Sequence, residues 1–192
     1  KDSAGNPATE IAPGWDDFRP AVGAWSADYW RTRINDNGRV RDLSGTYSTD
    51  AYAEIAGDMI SDASAQPDPF FLVVSFFGPH TGTRVTATAG GTSVEELSVA
   101  EYAPRHARLY PNAVAPRTRA FNEPRTADKP ALIQRFYGEP LTASEVAGID
   151  ARWRTELRAV AAVDEAVTSI REDLAAAGEL PASVLATITD AT

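Results

Sequence analysis

The run Phe70-Phe-Leu-Val-Val-Ser-Phe-Phe77 limits what this chain can fold into more than any other stretch. Pro67 and Pro69 stand before it and Gly78-Pro79 close it, so it reads as a strand of eight residues. Successive apolar side chains put hydrophobic surface on both faces. Such a strand is expected to be covered on both sides, as in a parallel sheet with helices on each face. It is also the longest apolar run in the sequence, far below the ~20 residues of a membrane helix. No membrane span is therefore expected.

Two helices flank this strand in the pattern. Ser48, Thr49 or Asp50 can cap a helix with Tyr52, Ile55, Ala56, Met59 and Ala63 on one face. The second starts at Thr142, whose partner three residues on is Glu145, the pattern of a capping box. Its apolar positions Val146, Ile149, Trp153, Leu157, Val160, Val163, Val167, Ile170 and Leu174 recur at steps of three or four, and Gly178 ends it. The stretch from Ser183 to Thr189 reads as a second buried strand. A strand, a crossover containing a helix and another strand make neighbouring parallel strands, so the fold class is α/β. Asn35-Asp36-Asn37-Gly38 supplies the turn of a short hairpin within Ala27 to Leu43. Residues 1–24 read as loop. Residues 81–141 carry six prolines and no strong period, a long stretch for a compact domain unless it is functional or wraps the surface. The chain opens at Lys1 and stops at Thr192 just after an apolar run, and both ends read as cuts within a longer protein.

Charge and composition exclude several functions. There are 27 acidic and 18 basic residues, a net charge of −9, where a duplex-binding surface presents a basic excess, so nucleic acid is not expected as a partner. The chain has no cysteine, hence no disulfide, thiolate zinc site or cysteine nucleophile, and its two histidines cannot build a three-histidine metal site. No Gly-rich phosphate loop, G-x-S-x-G or H-E-x-x-H is present.

Functional side chains gather beyond the carboxyl ends of parallel strands. His80 stands three residues past Phe77, and Asp190 directly follows the second strand. A histidine there donates to an anionic substrate, shuttles a proton, or is an ordinary loop side chain held by backbone. An aspartate there holds a divalent metal or caps a turn. His106, in Ala103-Pro-Arg-His106, reads as solvated surface, Asp16-Asp17 as turn formers, and Asp164-Glu165 as charges on the wet face of the second helix.

Several stretches taken in order resemble the sulfatase family, within the alkaline-phosphatase-like superfamily. They are Pro13-Gly-Trp-Asp-Asp-Phe18, Ile34-Asn-Asp-Asn-Gly38, Tyr47-Ser-Thr-Asp50, Pro69 to His80, Ala103-Pro-Arg-His106, Ala120-Phe-Asn-Glu123 and Val163-Asp-Glu-Ala-Val167. The resemblance is to the arylsulfatase and N-acetylglucosamine-6-sulfatase-like branch, and Thr81 to Val99 is its least similar part. It implies a mostly parallel sheet covered by helices and truncated at both ends. Residues 1–192 would be the central portion of one domain, without the nucleophile-bearing amino-terminal part or the carboxy-terminal subdomain. It also implies sulfate-ester hydrolysis by a formylglycine made within C/S-x-P-x-R, with calcium beside it. In that family the histidine matching His80 contacts the sulfate or the leaving oxygen. Lys1 matches a sulfate-binding lysine, and Asp190 a calcium ligand. The sequence departs from the pattern in having no C/S-x-P-x-R, no early aspartate pair, and Ala191 where the family has a metal-binding asparagine. This chain alone is therefore expected to be inactive. The expected substrate is a sulfated small molecule or glycan, and the family points to an extracellular or periplasmic location. The alternatives are a degenerate, non-catalytic relative binding an anionic glycan, and a phosphodiesterase or phosphoglycerol-transferase relative.

Overall fold

Asn37 and Gly38 take the positive φ angles (49° and 94°) that a tight turn demands, and they join β1 (Arg33–Asp36) to β2 (Arg39–Asp42) in an antiparallel pair. The computed structural model describes residues 8–88, 91–137 and 139–180. The loop before the hairpin is not idle. Asn35 and Asn37 donate backbone N–H bonds to the Pro20 and Phe18 carbonyls, and Val22 donates to Arg33, so the loop lines the free edge of β1. Ile34 and Asn35 are fully buried there, and the Asn35 side chain spans the Glu10 carbonyl and the Gly38 N–H.

Helix α1 (Ser48–Ser64) buries Ile55 and Ala56 of the predicted face, leaves Tyr52, Met59 and Ala63 half-buried, and buries Ile60, which that face did not include. Its start differs from the expected cap. Tyr47 occupies the N-cap and no side chain caps it, while Ser48 and Thr49 are buried in the first turn. Helix α3 (Ala143–Ala176) has the expected capping box, with Thr142 accepting from the Glu145 N–H and the Glu145 carboxylate accepting from Thr142. That bond holds the exposed Glu145 carboxyl below its usual value. The buried line on α3 lies one residue off the predicted stripe at Val160, Val163 and Val167 and rejoins it at Ile170 and Leu174. It runs through Ala159, Ala162, Ala166, Ile170 and Leu174, and Val160 is left 42% exposed. Alanines let other chain segments come close, as the turn at Gly78 does: a methyl added there would lie 3.8 Å from the Ala159 carbonyl oxygen and 3.7 Å from Val163.

α1 and α3 lie side by side in the same direction, since Arg105 ties Asp50 to Glu165 and Gly57 faces Asp173. A methyl at Gly57 would stand 2.8 Å from the Asp173 carboxylate. The run Phe70 to Phe77 then packs on this pair. Phe70, Leu72, Val74 and Phe76 cover Ala56, Ile60, Ile170 and Leu174, and Leu180 joins the same cluster. Phe71 and Val73 point the other way and are 82% and 56% exposed. The expectation of a strand covered on both sides is therefore corrected. The run alternates faces, its second face is covered only at Phe77, and no strand pairs with it among the described residues.

A second cluster holds Tyr29, Tyr47, Ala100, Ala103, Ala159 and Ala162, with Trp30, Phe77 and Tyr102 against it. The Tyr29 ring stacks on Tyr47 and meets Phe77 edge-on, with centroids 5.6 and 5.2 Å apart. Burial pushes the Tyr47 hydroxyl up to about 12 and Tyr29 further.

Residues 81–141 contain structure the period reading did not find. β3 (Thr83–Thr88) pairs antiparallel with β4 (Gly91–Glu96), and α2 spans Ala131–Tyr137. The hairpin is almost wholly exposed, so it has no buried face to impose an apolar alternation. It is anchored at Val85, which is fully buried, whose N–H donates to Asp28 and whose carbonyl accepts from Arg31. The described part thus mixes helices with small antiparallel sheets, compatible with an α/β fragment. The expected parallel sheet is not seen among the described residues, and the strand expected at Ser183 to Thr189 lies outside them. No described helix is long and apolar enough to cross a membrane.

Candidate functional site

His80 lies at the end of the half-covered apolar run, in the turn after the cis Gly78-Pro79 peptide. Its backbone is held at two points: its N–H donates to the Phe77 carbonyl (3.1 Å), and its carbonyl accepts from the Tyr29 hydroxyl (2.7 Å). Tyr29 is fully buried, so the turn is fixed to the second cluster. Gly82 follows against the same ring, where a methyl would come within 2.9 Å of Tyr29. The His80 ring is exposed and contacts Phe77, with ring centroids 5.2 Å apart. Its Nδ1 is 2.8 Å from the Thr81 carbonyl oxygen. A carbonyl only accepts, so in the neutral ring Nδ1 carries the proton and Nε2 keeps its lone pair. The result is an imidazole of fixed tautomer on a braced turn, with Nε2 free to bind or exchange a proton.

Of the residues expected to work with His80, Lys1 and Asp190 lie outside the described residues. Among the described residues no three histidine, aspartate or glutamate side chains come together as metal ligands.

His106 is a correction to the sequence reading. It is 3% exposed, and its Nε2 bonds Glu165 at 2.8 Å. Arg105 beside it donates Nε to the other Glu165 oxygen and grips Asp50 with both terminal nitrogens at 2.8 and 2.7 Å. Glu165, expected on a wet face, thus closes a clasp joining α1, α3 and the single turn at Pro104–His106. Glu165 comes directly before the buried Ala166, and that helical position was the only hint in the sequence. The His106 bond, with help from Arg105, holds the Glu165 carboxyl below its usual 4.5, and the paired carboxylates raise Arg105. A depressed folded value means that the clasp stabilises fully above the unfolded value and is lost as pH falls through the folded one. Glu165→Gln is therefore expected to lower the melting temperature at neutral pH. The gap to wild type should close as pH falls below about 4.5. Melting curves across pH check this, and a gap that persists unchanged in acid contradicts it.

An arylsulfatase from Volvox carteri is 29% identical over 88% of this chain and 27% of its own length. The sulfatase ppz1 of Metarhizium majus is 30% identical over 73% of this chain and 30% of its own length. The N-acetylglucosamine-6-sulfatase of Capra hircus is 26% identical over 81% of this chain and 25% of its own length. Identities of 25–30% over most of the chain support a sulfatase-family fragment. The chain spans between 25% and 30% of the length of these sulfatases. No protein-family profile matches the chain, and no solved structure matches it.

Proposed function

We propose that this chain forms part of a sulfuric ester hydrolase in which His80 grips the sulfate group or the leaving oxygen. The observation that carries the reading is the His80 ring, braced through Tyr29 and Thr81 with Nε2 unengaged, in a chain similar to known sulfatases. Protonated at Nε2, the ring donates a charge-assisted bond to a sulfate oxygen. It can also give that proton to the departing alkoxide. Lys1 is proposed as a second cation on the sulfate. Asp190 supplies one carboxylate toward calcium, which needs several more oxygens than this chain is known to offer. Calcium would neutralise developing charge at sulfur. The motif that yields formylglycine is absent from these 192 residues. Export to an extracellular or periplasmic location belongs to the same reading and rests on the family.

The finer fold belongs here too. Leu180 joins the cluster that Phe70 to Phe76 cover at Ile170 and Leu174, while the far end of the run, Gly78, rests on α3 earlier, at Ala159 and Val163. We propose that Ser183 to Thr189 pairs parallel with Phe70 to Phe77, which brings Asp190 to the His80 end. Hydrogen exchange is expected to protect amides 71–75 in the full chain and to leave them open in a chain ending at 180. Equal exchange in the two contradicts the pairing.

With only two histidines, nitrogen–proton correlation spectra resolve each ring. Adding sodium sulfate is expected to move the His80 signals to saturation and leave those of His106 in place. Signals that stay still, or that move equally and without saturation, refute the sulfate-gripping role. Ala191 favours a second reading, a relative that binds sulfated ligands without turnover, because its side chain has no oxygen for a metal.

A further inference from the structure

We infer that Asn37 is a site of spontaneous covalent modification whose rate is governed by the loop packed on the hairpin turn. Asn37-Gly38 is the one place in the 192 residues where glycine follows asparagine. Glycine has no side chain to shield its amide nitrogen. In an open chain that nitrogen attacks Cγ of the Asn37 side chain. A nitrogen–carbon bond forms, the bond from Cγ to Nδ2 breaks, and ammonia leaves with the Gly38 amide proton. Water then opens the cyclic imide at either carbonyl, giving aspartate or its β-linked isomer. Water is the only co-reactant, and the Asn37 side chain is exposed to it.

The fold engages both reacting groups elsewhere. The Gly38 N–H donates to Asn35 Oδ1 (2.7 Å), and Asn35 is itself fully buried with its Nδ2 on the Glu10 carbonyl. The Asn37 amide is pinned at both ends: Oδ1 accepts from the Phe18 N–H (2.7 Å) and Nδ2 donates to Asp17 (2.8 Å). Arg19 holds that same Asp17 with two bonds of 2.9 and 2.8 Å. Attack consumes the Gly38 N–H, so its bond to Asn35 is lost. Ammonia carries off Nδ2, so the bond to Asp17 is lost as well. Reaction therefore waits on a local opening of the loop. Conversion in turn keeps the loop from closing. The aspartate product sets a carboxylate oxygen against the Asp17 oxygen that Nδ2 had bonded, and like charges in contact repel. Asp36, 3.4 Å from Arg19, adds a third carboxylate to the same network. The β-linked isomer puts a further carbon into the backbone of the turn between β1 and β2. The site thus records, irreversibly, each opening in which it reacts.

The test is a peptide map of the full chain after incubation at neutral pH, read by mass for the change from amide to acid at Asn37. The native chain is expected to convert at least about tenfold more slowly than the same chain in urea at the same pH. Asp17→Ala is expected to raise the native rate several-fold. Asp16→Ala, the adjacent carboxylate that takes no part in these bonds, is expected to leave it unchanged, with circular dichroism showing both variants folded. Hydrogen exchange on Asn37→Asp reads the consequence. Val22 and Asn35, whose amides donate to the Arg33 and Pro20 carbonyls across the loop, are expected to exchange faster than in the wild type. Equal rates in the native and unfolded chains, no conversion in either, or equal rates in the two aspartate variants overturn the proposal. Exchange at Val22 and Asn35 unchanged by Asn37→Asp overturns the release of the loop.

Discussion

Light scattering over a concentration series is expected to show the 192-residue chain self-associating, and Phe71→Ser with Val73→Thr to shift it towards monomer. The cause is the open face of the Phe70 to Phe77 run. Phe71 is 82% and Val73 56% exposed, and removing such a side chain from water contributes about 1.5–3 kcal/mol. A strand has two edges, so pairing with Ser183 to Thr189 on one, as proposed, leaves the other to meet a second copy. The two substitutions act on the open face only. Phe70, Leu72, Val74 and Phe76 keep their contacts with α1 and α3, and stability should change little. A chain that stays monomeric at every concentration and melts cooperatively overturns this expectation, as does association untouched by the double substitution.

The second large effect is expected at Tyr29. Tyr29→Ala removes a fully buried ring from its stack on Tyr47 and its edge contact with Phe77, and a cavity of that kind costs about 3–5 kcal/mol. Denaturant unfolding should show a loss on that scale. Tyr29→Phe keeps the ring and deletes only the hydroxyl that donates to the His80 carbonyl, a loss of about 1 kcal/mol. Its signature lies elsewhere: the His80 response to sulfate should weaken while the fold stays intact. If Tyr29→Phe leaves that response unchanged, the hydroxyl does not position the turn.

Much of the fold could be read from local pattern. The capping box at Thr142 and Glu145 and the Asn37-Gly38 turn rest on interactions within a few residues, so sequence spacing sets them. The α1 face was legible from its period at Ile55 and Ala56, but not at Ile60. Where the period reading erred, a tertiary contact had the last word. The buried line of α3 moved from Val160 to Ala159 and Ala162 because close packing favoured small side chains over larger ones. The β3–β4 hairpin went unseen because it is held at one point, Val85, and otherwise faces water.

The candidate site divides in the same way. The sequence by itself singled out His80, because Gly78-Pro-His80 closes an apolar run, and it indicated the sulfatase family through short motifs in a fixed order. It could not show that Tyr29, 51 residues earlier, braces the His80 turn, or that His106 is buried against Glu165, 59 residues later. Nor could it show that Arg154 and Arg158 of α3 donate to the Ala113 and Leu109 carbonyls and so fasten the loop carrying them along the helix. Helix periods, caps and turns follow from neighbours along the chain, whose distances the backbone fixes. Which charge meets which, and which ring supports which turn, depends on segments brought together only when the apolar faces are buried, so only the tertiary structure decided them.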